Sequence, residues 1–336
     1  MAEKILPNIN WYEDKNALEN NEPGLYHSFI SSLASSVNYI EGEVDPVRLM
    51  GTSAFAFRIF VNEIFCPSAM SVFNWKKILP ESIRQYNYDC KYFSRMWEEG
   101  HLEKDKREEA QAAIIKAVDN GTPAVVWDVA DAEWGLIIGY DLKKSKYITM
   151  THGGERSTLP FDKLGKNGID VLSVTIPTGR NNRDREEVLR NSLKVAVAHA
   201  EQKEWMDRPE YQDGLPAFDL WASLFEKWAL LIEYGKAKNI GTDIFSFSKY
   251  YAGTHFSARC YARDYLRMIS NGNENLQKAA HCYQRVAGQL KPVWDYFSKN
   301  EKSDRKLFLS FAENIREAKK DEEEGISYIK KYLNEN

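Results

Sequence analysis

The stretch from Gly121 to Asp141 holds the densest group of residues that could take part in chemistry. An apolar run is followed by a short polar connection, the pair Glu133-Trp134, and a second apolar run that ends in Gly-Tyr-Asp141. A glutamate there could serve as a general base only if burial raised its pKa strongly. Otherwise it is an exposed or hydrogen-bonded carboxylate at the start of a strand, where acidic residues are common.

Two histidines and a cysteine are the other candidates for proton transfer or nucleophilic attack. His152 stands beside the Gly-Gly pair at 153–154, a pattern typical of a surface turn, but its imidazole could approach Glu133 across the predicted hairpin. His27 precedes a predicted helix and could line a cleft. Cys66 follows a predicted strand, and a free structural thiol is its simplest interpretation.

Four basic residues are candidates for a buried or ligand-binding role. Arg58 lies in the Phe-rich segment 55–61, and a buried arginine needs a carboxylate partner, for which Glu133 or Glu63 is available. The other three share one face of a predicted helix, at intervals of four residues: His255, Arg259 and Arg263. That spacing predicts a solvated basic face, with an anion site as the alternative.

Composition and the absence of standard motifs exclude several function classes. The 336 residues carry a formal net charge of −4, which gives no general attraction to nucleic acid or to an anionic membrane. No apolar run approaches the ~20 residues of a membrane span, and the first residues lack the apolar core of a signal peptide. There is no phosphate loop, dinucleotide fingerprint or zinc-helix motif, and the cysteines form no Cys-x-x-Cys pair. We therefore expect a cytoplasmic protein with reduced thiols, no metal and no cofactor.

The first part of the chain combines helices and strands. Residues 1–24 form a polar lead-in, and apolar residues from His27 to Ile40 recur at helical spacing. A strand is predicted over Phe55–Val61 and a helix over Glu103–Val118. The other predicted strands share short length and β-branched or aromatic composition: Tyr88–Met96, Pro123–Val129, Trp134–Tyr140, Lys146–Thr151 and Asp170–Pro177.

The second part shows helical periodicity only. The polar segment 178–185 marks the domain boundary, and amphipathic helices fill residues 186–333. The sequence predicts a looser connection at 235–248 and a solvated helix junction at the charged run 319–324. Short polar loops between long amphipathic helices favour an antiparallel bundle. The expected fold is therefore α+β: a domain over 25–178 with an antiparallel sheet and a central helix, followed by an all-α helical bundle domain.

Several stretches resemble a known family. The strand, Glu-Trp, strand and hairpin pattern of 121–151 is similar to the C-terminal sheet of papain-like bacterial domains of the bacteriocin-leader-peptidase type. Tyr26-His27-Ser28-Phe29, followed by Leu49-Met-Gly-Thr-Ser-Ala-Phe-Ala-Phe-Arg58, resembles the N-terminal domain of butirosin biosynthesis protein H, a papain-like acyltransferase family. The helical part is also similar to that group, so the resemblance spans about residues 24–300, and its motifs there are Gly214-Leu-Pro-Ala-Phe-Asp-Leu-Trp221 and Ala258-Arg-x-x-Ala-Arg263.

The resemblance implies a catalytic cysteine at the start of the central helix, a histidine before the second strand, and an Asp or Asn on the next strand that orients the imidazole. In this sequence those positions carry Ser28, Glu133 and Thr151. A serine is far less acidic than a thiol and needs a general base to attack. The simplest structural interpretation of Ser28 is the N-cap of the predicted helix. The resemblance therefore implies a papain-like scaffold without the family's thiol–imidazole chemistry, whose cleft candidates are His27, Arg58, Cys66, Trp134 and His152.

Two functions of different classes remain open. The first is a non-catalytic binding or accessory protein, whose partner is a small molecule, a peptide or a carrier protein and not nucleic acid or a membrane. Family analogy alone connects it with peptide or secondary-metabolite biosynthesis. The second is an acyltransferase or amide hydrolase with a rearranged site, which uses Ser28 or Cys66 with Glu133 or His152. Because all three family positions are substituted, the sequence favours binding, with a cationic or amide ligand facing the carboxylate.

Overall fold

The chain folds into two compact units that do not follow the sequence in simple order. The computed structural model describes residues 3–204, 209–233, 242–299 and 304–335. The sheet unit contains the described residues up to Asp14, together with Leu25–Leu49 and Trp75–Arg183. The helical unit contains Lys15–Gly24, Met50–Asn74 and the described residues from Asp184 onward. The fold is mixed α+β with an antiparallel sheet, as expected at that level.

The strands in chain order are β1 (Glu3–Ile5), β2 (Phe60–Asn62), β3 (Tyr88–Arg95), β4 (Ala124–Trp127), β5 (Trp134–Asp141), β6 (Lys146–Met150), β7 (Arg156–Pro160), β8 (Leu172–Arg180) and β9 (Tyr211–Asp213). The α-helices are α1 (Lys15–Glu19), α2 (Ser28–Glu41), α3 (Pro46–Thr52), α4 (Trp75–Gln85), α5 (Glu103–Asp119), α6 (Arg185–Ala200), α7 (Gly214–Glu233), α8 (Thr242–Ile269), α9 (Glu274–Phe297) and α10 (Arg305–Asn334). The sequence does not predict β1, α1 or β7.

The sheet unit is built around an antiparallel sheet with the strand order β3-β8-β4-β5-β6-β7. Strand β1 pairs with the second half of β5, where Gly139 lies opposite Ile5. A Cβ at Gly139 would lie 2.5 Å from the Lys4 carbonyl oxygen, so this position requires a glycine. Helix α2 packs on β4 and β5, and α5 packs on β3, β4, β5 and β8. This packing places the start of α2 beside the start of β5.

Helix α2 begins at Ser28 because the preceding residue caps it. His27 has an extended backbone, and its Nδ1 accepts the N–H of Phe29 at 3.3 Å. The helix ends at Gly42, whose left-handed φ of 82° lets its N–H donate to the Asn38 carbonyl. The helix that the periodicity predicts is confirmed, and its apolar residues are buried except for Ile40, which is 37% exposed.

The strand predicted over Phe55–Val61 is wrong. Phe55–Phe57 forms a short 3-10 helix after Ala54, whose φ is +60°, and of the segment only Phe60 and Val61 lie in a strand, β2. Every residue of the segment is buried, so the alternation reflects residue size and not a core face opposite a solvent face. Strand β2 pairs with β9. The expectation that residues 186–333 contain no strand is therefore wrong at β9.

Helix α10 runs without interruption, so the solvated junction predicted at 319–324 is wrong. Glu322 lies within that run, is 2% exposed, and makes a bidentate ion pair with Arg259 of α8. Because Arg259 is buried as well, the basic face predicted for its helix is not solvated. Gly325 does not break the helix either: a Cβ there would lie 3.1 Å from Cβ of Cys282, so the glycine lets α10 approach α9 closely.

The division between the units falls between Arg183 and Asp184, inside the polar segment 178–185. Asp184 is the N-cap of α6, and its side chain accepts the N–H of Glu187 at 2.9 Å. Met50–Asn74 belongs to the helical unit, not to the sheet domain expected over 25–178, because β2 within it pairs with β9.

The structure also differs from the expectations for residues 1–24 and 235–248. Residues 1–24 are not a simple lead-in, since their described part supplies β1 to the sheet unit and α1 to the helical unit. The connection predicted at 235–248 is wrong from Thr242 on, where α8 has begun, and 234–241 lie outside the described residues. None of the helices in the described ranges is long and apolar enough to cross a bilayer.

Candidate functional site

Ser28 and Glu133 are brought into direct contact in the sheet unit. The Ser28 hydroxyl donates a hydrogen bond to Oε2 of Glu133, and the Trp134 backbone N–H donates to Ser28 Oγ at 3.3 Å. Ser28 is 1% exposed and is the first residue of α2, with His27 and not Ser28 as the N-cap. The hydroxyl is therefore held between a carboxylate and a backbone amide of the opposite strand.

A hydrogen-bonded loop between β4 and β5 positions Glu133. The Asp128 N–H donates to the Glu133 carbonyl at 2.9 Å, and the Glu133 N–H donates to the Asp131 carbonyl at 2.7 Å. Asp128 has a φ of +59°, which few residues other than glycine adopt. Its carboxylate accepts the N–H groups of Gly168 and Ile169 at 2.6 and 2.8 Å. These bonds tie the loop to the segment before β8 and hold Glu133 over the start of α2.

Aromatic rings pack beneath this contact. Trp134 is 2% exposed, and its ring centroid lies 4.4 Å from that of Trp127 and 4.9 Å from that of Trp75. The imidazole of His27 stacks on Trp134 with the ring centroids 5.8 Å apart. His27 and Trp134 are therefore structural supports of the site as well as neighbours of Ser28.

Glu133 affects the pKa of the neighbouring Tyr26. Burial, and after it the charge of Glu133, raise the pKa of Tyr26 to about 12. The phenol of Tyr26 therefore keeps its proton at neutral pH.

His152 does not meet Ser28 but lies one turn further along α2. Its Nδ1 is 3.3 Å from Oγ of Ser31, and its ring makes an edge contact with Trp11 at a centroid distance of 5.7 Å. Burial lowers the pKa of His152, although the nearby charge of Asp131 opposes this. The imidazole is therefore neutral at pH 7, but the structure shows no bond from it to the Ser28 hydroxyl within the described residues.

Thr151 stands at the position that the resemblance gives to an orienting residue. Its hydrogen bonds stay within the turn that it begins. Its N–H and its hydroxyl both donate to the Glu155 carbonyl, at 2.8 and 3.2 Å. The side chain is half-buried. Thr151 thus closes the turn between β6 and β7.

Arg58 and Cys66 belong to the helical unit. Arg58 is paired with Glu204, and not with Glu133 or Glu63: its Nε lies 3.1 Å from one carboxylate oxygen and its Nη2 2.5 Å from the other. Cys66 Sγ lies 2.9 Å from Ser68 Oγ, which lies 2.9 Å from the Tyr211 hydroxyl. Both residues therefore have local partners in their own unit.

Sequence reasoning missed Trp11, Tyr12, Ser31 and Ser35. The signal was present in the spacing of Ser28, Ser31 and Ser35, which puts three hydroxyls on one side of α2. Among the described residues no group of three His, Cys, Asp or Glu side chains is arranged to hold a metal ion.

No protein-family model matches this chain, and a comparison with curated proteins finds no significant similarity.

Proposed function

We propose that this chain is a non-catalytic binding protein whose sheet unit has a papain-like arrangement and whose ligand donates an ammonium or amide N–H to Glu133. The observation that carries the proposal is the position of the Ser28 hydroxyl, which donates a hydrogen bond to Glu133 and accepts one from the Trp134 N–H. The papain-like identity is supported by a helix that begins beside the start of a central antiparallel strand.

The surroundings of Ser28 oppose nucleophilic attack. A serine nucleophile must be reached by substrate and must lose its proton to a base. Ser28 is 1% exposed, so its hydroxyl is closed to an approaching substrate. The imidazole of His152, which would be the better base, lies beside Ser31 instead.

The same surroundings suit recognition of a donor group. The hydrogen bond from Ser28 to Oε2 shows that the Glu133 carboxylate faces the start of α2 and accepts a polar hydrogen there. Hydrogen bonds between a charged carboxylate and an ammonium or amide N–H are among the stronger polar contacts. Because Asp131 lies in the same loop, its charge adds to the negative potential that attracts a cation.

Thermal unfolding in the presence of simple probes tests this proposal. We expect n-butylammonium chloride or acetamide to raise the Tm of the wild-type chain above that in sodium chloride of equal ionic strength, as any ligand specific for the folded state does. Glu133→Gln should abolish the increase. Asp162→Asn, which alters an exposed carboxylate of the same unit, should retain it.

Two results would contradict the proposal. The first is the absence of a Glu133-dependent shift with either probe. The second is covalent labelling of Ser28 by a fluorophosphonate, lost in Ser28→Ala. The second result would favour the acyltransferase or amide-hydrolase alternative, because the Ser28–Glu133 hydrogen bond is also the contact that a serine and a carboxylate base would make.

A further inference from the structure

The chain places its own N-terminal segment against Ser35 of α2, about two turns beyond the Ser28–Glu133 contact. The backbone N–H of Tyr12 donates to Ser35 Oγ at 2.9 Å. Ser35 in turn donates to the Ser31 carbonyl at 2.8 Å, so its hydroxyl is fixed with an acceptor lone pair toward the segment. Ser35 Oγ is therefore an acceptor on the surface of α2 for a backbone N–H of a neighbouring segment.

Trp11 completes this contact with the turn between β6 and β7. Its ring meets the edge of His152, and its Cβ is close to Gly154. A Cβ built on Gly154 would lie 3.0 Å from Cβ of Trp11, whereas one built on Gly153 meets nothing within 4 Å. The second glycine of the Gly-Gly pair thus leaves room for the tryptophan.

The segment that makes these contacts has no regular structure. Residues 10–13 lie outside strand and helix, and their side chains are half-buried or exposed. They are fixed at both ends by buried residues, Ile9 at 1% and Asp14 at 7% exposed. The segment is held by a backbone amide and by one aromatic side chain, two kinds of contact by which proteins also hold peptides.

We propose that Ser31 and Ser35 of α2 and the turn at 151–155 form a binding site for a peptide with an aromatic residue, and that residues 10–13 occupy this site as a built-in competitor. A peptide in this site bonds its backbone N–H to Ser35 and places its aromatic ring on His152. Because the competitor is covalently attached, it is present at a high effective concentration and excludes all but a tight or abundant rival. This site is separate from the Glu133 ligand site and does not rest on it.

A peptide that copies the segment provides the probe. We would label residues 8–14 (Asn-Ile-Asn-Trp-Tyr-Glu-Asp) with fluorescein and measure anisotropy with the full chain carrying Trp11→Ala and Tyr12→Pro, which remove the ring and the amide donor. We expect this variant to bind the peptide at least tenfold more tightly than the wild type. Ser35→Ala in the same background should weaken binding, and a peptide with Ala in place of Trp should not bind.

A second pair of variants keeps the wild-type segment. Gly154→Ala and Gly153→Ala impose the same backbone cost, since both glycines have a positive φ, but only the first pushes on Trp11. We expect Gly154→Ala to bind the peptide more tightly than Gly153→Ala. Equal peptide binding by the two glycine variants, or equal binding by the wild type and the Trp11→Ala/Tyr12→Pro variant at unchanged circular dichroism, would overturn the proposal. Neither result bears on the effect of Glu133→Gln on amine binding.

Discussion

Arg259 and Glu322 form a two-bond ion pair in which the side chains are 0% and 3% exposed. The bonds measure 2.9 and 2.7 Å, and a third runs from Nη1 of Arg259 to the Arg58 carbonyl at 2.6 Å. Removing two charges from water is costly, and their attraction offsets the cost only while both partners are present. Helices α8 and α10 of the helical unit are therefore joined by a contact that tolerates the loss of neither residue.

We expect Arg259→Met to lower the free energy of unfolding by about 3–5 kcal/mol, because it leaves a carboxylate buried without its partner. Urea unfolding gives the value. The matched control is Arg316→Met, which breaks the ion pair with Glu226 at side-chain exposures of 41% and 40% and should cost at most about 1 kcal/mol. Similar losses for the two variants would contradict the argument.

The run at 319–324 shows which part of the fold the sequence could predict. Its polarity favours a junction, yet the buried residues Phe311, Ile315, Ala318, Glu322 and Ile326 continue one helical stripe straight through it. The periodicity of this stripe could be predicted from the sequence. The burial of Glu322 could not, because it depends on an ion pair with Arg259, 63 residues away.

The same limit applies to the site. Local signals predicted the start of α2, the strands on each side of Glu133, and their antiparallel hairpin. Partners distant in sequence did not follow from any local pattern: Ser28 and Glu133 are 105 residues apart, and Arg58 and Glu204 are 146 apart. The family resemblance placed Ser28 and Glu133 in one site, but nothing in the sequence predicted the pair of Arg58 and Glu204.

The burial of Asp213 predicts that the stability of the folded chain depends on pH. Asp213 is fully buried, with Oδ2 3.7 Å from Nδ1 of His199, and burial raises its pKa from 3.8 to about 6 although the charge of His199 opposes the shift. The unfolded chain therefore loses this proton near pH 4 and the folded chain only near pH 6. Between those values the folded state loses stability as the pH rises, on the order of 1.4 kcal/mol per unit.

Asp213→Asn should remove this contribution. Its free energy of unfolding, relative to that of the wild type, should rise by about 2–3 kcal/mol between pH 4 and pH 7. The groups that face Asp213 are His199, Glu204 and Gln202, and all three are present in both proteins. Asp162→Asn, at an exposed site, should leave the pH profile unchanged. A difference that does not vary with pH would contradict the assignment.

Gly325 and Gly288 predict opposite effects of the same substitution. Alanine normally stabilises a helix by about 1 kcal/mol relative to glycine. Gly288 of α9 has open space around its Cβ position, so Gly288→Ala should stabilise the chain by up to that amount. At Gly325 the new Cβ would meet Cys282 and the ring of Tyr283 at 3.1–3.3 Å. Gly325→Ala should therefore destabilise by about 1–3 kcal/mol, and a gain in Tm in this variant would refute the close approach of α9 and α10.

The last prediction concerns the electrostatic environment at the start of α2. A thiol at a helix N-terminus is normally made more acidic and more reactive by the helix dipole. At position 28 the adjacent Glu133 carboxylate disfavours a second negative charge, and a like charge at hydrogen-bond distance raises a pKa. Ser28→Cys should therefore react slowly with iodoacetamide at pH 7.5, because little of the thiol is ionised.

Removing the charge of Glu133 should reverse this effect. Burial limits access to position 28 in both variants, so the double variant Ser28→Cys/Glu133→Gln changes mainly the thiolate fraction. We expect its alkylation at position 28 to be about threefold to tenfold faster, measured by peptide mass spectrometry. Cys66 is half-buried in the helical unit and provides an internal control whose rate should be the same in both variants. Equal rates at position 28 would show that the carboxylate does not determine the charge balance at the start of α2, and would remove the electrostatic basis for a cationic ligand there.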